Sequence, residues 1–268
     1  MFKDIKQVMK DSVLYGIGNV AVKLVGFILI PLYTDAEYFS TADYGLMGLL
    51  EVTSQILIAV MGLSLYSGLI RWYWDAEYRD KQKTIFFTTL LFTILTSLCI
   101  GSVLWLNVGE LSALLVQQEG YSLGGELPYI LQLLILTSML GAVVEVPQNL
   151  LRLQRKPIYY SLTNIVRLFV TLVLTIYFTI SLHRGVSGVY EAQLVGIVIQ
   201  LLMVLPLVIK NSSCRVDRRC TIQLLVYSYP LVFPAIVGSL LTVFDRYIIN
   251  HFQGLDDVGF YSLGYKVG

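Results

Sequence analysis

Seven ionisable side chains stand inside long apolar stretches of this sequence: Lys23, Glu51, Glu145, Arg167, Glu191, Asp245 and Arg246. A charge in hydrocarbon is costly, so it is kept where it pairs, faces a water-filled cavity or grips a charged ligand. Counting ~1.5 Å per residue from each hairpin turn puts Lys23 level with Glu51 on the next span, and Glu145 level with Arg167. Each of these cations then has an acid at its own depth. Both acids head polar stripes, Glu51, Ser54, Gln55 and Glu145, Gln148, Asn149, and spacings of three and four put each trio on one helix face. Asn19 shares a face with Lys23, and Tyr160 and Asn164 share one with Arg167. Polar faces on four spans describe a hydrated cavity between helices. The alternative is that these groups only glue helices together. Asp245 and Arg246 are adjacent and near the outer end of a span, where an interfacial salt bridge is the first reading.

Signatures of enzyme chemistry are missing. The two histidines, His183 and His251, fall near the outer surface, and no metal-ligand cluster, Gly-Xaa-Ser-Xaa-Gly elbow or phosphate-binding loop occurs. No catalytic residue, cofactor or metal is expected, and loops too short for an ATPase domain leave gradients or substrate supply as the driving force. Cys99 lies in an apolar run while Cys214 and Cys220 lie in a basic loop, which supports neither a disulfide nor a zinc site.

The elements that must position these groups are membrane spans. Of 268 residues, 56% are hydrophobic and 14% charged, against roughly 25% charged in soluble domains, and the mean hydropathy is +0.71. Apolar runs place spans near 12–34, 44–70, 84–107, 127–151, 158–182, 186–209 and 223–250, with an eighth starting near Val258. The predicted class is an all-α integral membrane protein, a polytopic bundle of seven transmembrane helices and the start of an eighth. Of the loop and terminal cations, fourteen fall on one side (Lys3, Lys6, Lys10, Arg71, Arg79, Lys81, Lys83, Arg152, Arg155, Lys156, Lys210, Arg215, Arg218 and Arg219), and Arg184 alone falls on the other. The positive-inside rule then places the N-terminus in the cytoplasm. This placement also explains the basic residues without nucleic acid.

Residues 1–11 carry Phe2, Ile5, Val8 and Met9 opposite Lys3, Lys6 and Lys10, the pattern of an amphipathic segment on the inner leaflet or of a basic tail. The apolar run that follows is too long for a signal peptide, so it reads as retained. The outer loop 108–126 has room for a short surface helix. The sequon at Asn211 falls on the cytoplasmic side and should stay unused. Pro147, Pro230 and Pro234 bend their helices and free backbone carbonyls.

An echo divides the chain. Asp43-Tyr44-Gly45-Leu46 follows the first span and Asp257-Val258-Gly259-Phe260 follows the seventh. Six spans separate them, so both copies cross the membrane in the same direction, as in a parallel repeat. The expected organisation is a six-helix lobe at 12–209, a basic cytoplasmic linker at 210–222, and at 223–268 the start of a second lobe that ends inside a span.

Several motifs in this order resemble the polysaccharide-exporting flippases of the multidrug/oligosaccharidyl-lipid/polysaccharide (MOP) superfamily. They are Lys10 to Asn19 with Gly26 to Pro31, Ala42-Asp43-Tyr44-Gly45, and Leu151-Arg152-Leu153-Gln154-Arg155-Lys156-Pro157 with Asn164 and Arg167. Tyr227-Ser228-Tyr229-Pro230-Leu231, Asp245-Arg246-Tyr247 and Val258 to Tyr265 complete the set. The resemblance implies a MATE-like N-lobe from a two-lobed, alternating-access transporter of the inner membrane. Its substrate would be an undecaprenyl-pyrophosphate-linked oligosaccharide, with membrane lipids and the polysaccharide polymerase machinery as partners. Lys23, Arg167 and Arg246, helped by Asn19 and Asn164, would bind the substrate, and Glu51 and Glu145 would compensate their charge or serve coupling. A cation-coupled multidrug exporter of the same superfamily would expect an acid where the first span has Lys23. A membrane-embedded sugar transferase would need a larger outer loop than this chain has, and a non-transporting scaffold is the remaining alternative.

Overall fold

A computed structural model of the chain describes residues 28–115, 125–213 and 215–267. A helical stretch at 28–33 leads through a turn to α1 (Thr41–Gly62), and α2 (Leu65–Trp72) continues it past a break. A 3-10 turn (Ala76–Lys81) opens α3 (Gln82–Leu106), followed by the short α4 (Val108–Leu115). Then come α5 (Leu127–Leu153), α6 (Pro157–Ile176) with a π turn at Tyr177–Ser181, α7 (Gly185–Asn211), α8 (Arg218–Phe252) and α9 (Leu255–Val267). Among the described residues six helices are long and apolar enough to cross a membrane. Seven were expected; the difference is the first, at 12–34, which lies mostly outside the described residues along with the segment 1–11. The other expected spans coincide with helices, and α4 occupies the start of the outer loop.

Local chemistry sets the helix ends. Ser40 caps α1 in a reciprocal box: its Oγ accepts from the Asp43 N–H (3.1 Å) and its own N–H donates to Asp43 Oδ2 (2.8 Å), satisfying donors that a helix start leaves unpaired. Pro128 and Pro157 start α5 and α6, where a missing N–H costs nothing. Gly254, at φ +98°, makes the turn from α8 into α9, a conformation other residues adopt at a penalty.

Three apolar clusters hold the described helices together, the smallest around Met61, Ile135 and Ala142. One joins α1, α5 and α7 through Leu46, Leu49, Leu50, Ile130, Leu131 and Val189. Another gathers Leu69 of α2, Ile85 and Phe86 of α3, Leu150 of α5 and Leu207 of α7 at the basic end. By contrast α6 turns Ile158, Leu162, Phe169 and Val173 outward, as a helix facing lipid must. The first helix of the expected second lobe, α8, runs antiparallel along α1 and α2, while α9 lies on α1 in the most extensive helix pair of the fold.

Candidate functional site

A single turn in the second expected span shapes the site. That span was predicted as one helix over 44–70, yet Leu63 and Ser64 both adopt left-handed conformations (φ 43° and 51°) and split it into α1 and α2. Non-glycine residues pay for that geometry, and the surroundings offset it. Thr96 Oγ1 of α3 donates to the Met61 carbonyl (2.8 Å), while Ser64 Oγ donates to the Leu231 carbonyl of α8 (3.3 Å). Leu231 lies between Pro230 and Pro234, so a break in one helix faces the proline-weakened stretch of the other.

Between this break and the proline-bearing stretch of α8 lies a cavity of about 510 Å³, within the size range of ligand pockets. Gln55, Gly62, Ser64 and Tyr66 line it from α1 and α2, Glu145 from α5, and Pro234, Gly238 and Ser239 from α8. Glu145 is therefore on the cavity wall, and a Cβ added to Gly62 would stand 3.9 Å from its Oε2.

The expected pairing of Glu145 with Arg167 is not what forms. Arg167 Nη1 donates to Gln200 Oε1 of α7 (3.1 Å), and Gln200 Nε2 donates to Asn164 Oδ1 (3.0 Å). Arg167 and Asn164 thus fasten α6 to α7 and are not on the cavity wall. Counting depth could not foresee this, because two groups at one height still face apart when their helices are rotated. The second stripe splits for the same reason: Gln148 Nε2 donates to Thr163 Oγ1 (2.9 Å), and Asn149 Nδ2 returns to the Glu145 carbonyl (3.0 Å). Glu191 accepts from Tyr129 (2.9 Å) and pairs with Arg184 at the end of the bundle opposite the basic loops.

Lys23 and Asn19 lie outside the described residues. Glu51, expected beside Lys23, has Lys266 Nζ of α9 at 3.6 Å from its Oε2. Lys266 was missed because α9 had barely begun by residue count, although its charge inside an expected span was the available signal. Arg246 is 6% exposed. Its guanidinium does not close on Asp245 as expected but stacks over the Tyr265 ring at 5.3 Å. Asp245 instead accepts the Arg246 backbone N–H (2.9 Å) and the Tyr261 hydroxyl. Among the described residues no acid stands within ion-pair distance of Arg246.

Six helices long and apolar enough to cross a membrane among the described residues, packed around a cavity, define a multi-pass membrane protein with the fold of the MOP-superfamily transporters. The Vibrio cholerae MATE transporter VcmN is similar at TM-score 0.70 and 15% identity, over 98% of this chain and 60% of that one. A multidrug resistance MATE family transporter is matched in its outward-facing form (TM-score 0.69, 17% identity, 98% and 59% covered) and in its inward-facing form (0.63, 15%, 95% and 57%). The chain spans less than two thirds of the length of each. It belongs to the polysaccharide biosynthesis protein family, whose pattern it matches over residues 8–268. No curated protein sequence matches it significantly.

Proposed function

We propose that the full protein is a flippase that carries a lipid-pyrophosphate-linked oligosaccharide across the inner membrane, with the basic loops and the N-terminus in the cytoplasm. The observation that carries this reading is Arg246, a buried guanidinium stacked on Tyr265 with no acid within ion-pair distance of it among the described residues. A buried cation without a counter-ion is expensive, and an anionic ligand removes that cost. A pyrophosphate suits it, since charge-assisted bonds to guanidinium strengthen as water is excluded, while the polyprenyl tail stays in lipid. Lys23 and Asn19 of the first span complete the grip. Glu51 and Glu145 compensate cations when the cavity is empty, whereas Arg167 and Asn164 support the site by holding α6 against α7. Family membership over nearly the whole chain favours a sugar-linked substrate over a cationic drug.

The test is reconstitution of the full-length protein with a fluorescent lipid-linked oligosaccharide. Arg246→Ala and Lys23→Ala should each slow its movement by roughly tenfold or more, and Arg246→Lys should retain part of it. Normal rates in both alanine variants, or export of a cationic dye with no movement of lipid-sugar, would overturn the proposal in favour of the multidrug exporter.

A further inference from the structure

At Gly68 the helices α2 and α8 cross closely: a Cβ added there would stand 2.9 Å from Ser228 Oγ and 3.0 Å from Leu224 Cγ. Beside this crossing they part and leave a groove with two adjoining compartments. The larger, about 640 Å³ and mostly apolar, is lined by Trp72 of α2 and by Ile222, Val226 and Pro230 of α8. The smaller, about 440 Å³, has Ser67 and Arg71 of α2 on its wall. Tyr227 and Leu231 of α8 line both, and the Trp72 and Tyr227 rings meet edge to face with centroids 6.2 Å apart. The Arg71 guanidinium stands 5.2 Å from the Trp72 ring centroid. Among the described residues no acid lies within ion-pair distance of Arg71.

We infer that this groove binds an anionic glycerophospholipid from the leaflet at the basic end, with its acyl chains in the larger compartment and its phosphate on Arg71. The depth is that of one leaflet: Ile222 to Leu231 spans about 14 Å at the helical rise, close to half of the ~30 Å hydrocarbon core. Arg71 stands where α2 runs out into the basic loop that carries Arg79, Lys81 and Lys83, at the level of headgroups, and Trp72 and Tyr227 are residue types that settle at that boundary. Ile222 and Val226 are exposed, so the groove opens sideways and an acyl chain enters it directly from the bilayer. The unpaired charge selects among lipids. A guanidinium makes charge-assisted bonds to phosphate, and an anionic lipid brings no cation of its own to compete, as a zwitterionic one does. One basic residue at the surface favours the anionic lipid roughly fivefold. The inference uses the membrane placement alone and does not depend on which substrate is transported.

The test uses the full-length protein with Trp72 as its only tryptophan, in phosphatidylcholine vesicles carrying a small share of brominated lipid, which quenches a nearby indole. Brominated phosphatidylglycerol should quench Trp72 at a roughly fivefold lower share of total lipid than brominated phosphatidylcholine. Arg71→Gln should bring the two lipids level, and Arg71→Lys should keep most of the preference. Arg155→Gln, which removes a cation from another basic loop, is the control and should leave the preference unchanged. Equal quenching in the parent, a full preference in Arg71→Gln, or a loss in Arg155→Gln as large as in Arg71→Gln would each overturn the site. If a polyprenyl pyrophosphate restores Trp72 emission at a lower share of lipid than unbrominated phosphatidylglycerol does, the groove belongs to the transported lipid and the phospholipid assignment falls. Should the single-tryptophan protein not fold, bound lipid counted by native mass spectrometry on the parent and on Arg71→Gln decides by the same ratio. No transport is measured, so failure of the proposed substrate and failure of this site are read separately.

Discussion

At the scale of single residues, Asp217 joins the two halves of the basic end. Its Oδ1 accepts from the Arg219 N–H (3.0 Å) and Cys220 N–H (3.5 Å) to cap α8, and its Oδ2 accepts from Lys81 Nζ at the start of α3 (2.5 Å). The Lys81 bond, followed by the Arg219 N–H, holds its carboxyl below the ordinary range. A folded-state pKa below the unfolded value of about 3.9 means that the stabilisation is complete above that value and fades as pH falls through the folded one. Asn keeps the cap but loses the charge. Asp217→Asn should therefore lower Tm by about one or two degrees at neutral pH, since exposed pairs are weak. Thermal scans in detergent should show the difference shrinking below about pH 4. Arg246 teaches the opposite lesson. Its neighbour Asp245 looked like its partner, but an adjacent pair on a helix points in different directions, and the acid is taken by Tyr261.

Among the elements, the break between α1 and α2 matters most. An apolar run at 44–70 is longer than the ~20 residues a bilayer needs, and it reads as one helix, without the break. What fixes it at Leu63 and Ser64 comes from other helices: Thr96 of α3 takes the Met61 carbonyl and Ser64 reaches the Leu231 carbonyl of α8. Thr96→Val keeps the shape and removes the bond, so it should cost about 1 kcal/mol, measurable as a lower midpoint of thermal unfolding. An unchanged midpoint would mean that the break is set by local sequence alone. The prolines of α8 were visible in the sequence, but that they face this break and bound a cavity with it was not.

For the molecule as a whole, orientation can be checked directly. Arg155→Cys in the loop after α5 should react with an impermeant maleimide only once cells are opened, whereas Gly109→Cys on α4 should react in intact cells; the reverse pattern would invert the proposed topology. The positions of the spans could be read from the chain because lipid offers backbone groups no partners, so each crossing must be a long apolar helix and each loop keeps its charge. The echo around Gly45 and Gly259 was equally visible as letters. Rotation and neighbours were not, because a helix buries whichever face its packing selects and several faces here carry polar groups. So the sequence determined where the described spans lie and which charges they carry, Glu51, Glu145, Arg167 and Arg246. Tertiary structure alone decided that Glu145 faces a cavity, that Arg167 serves the α6–α7 contact, that Glu51 meets Lys266, and that each echoed glycine lies against the backbone of the other copy. Those outcomes depend on side-chain direction and interhelical distance, which residue order constrains only through the packed bundle.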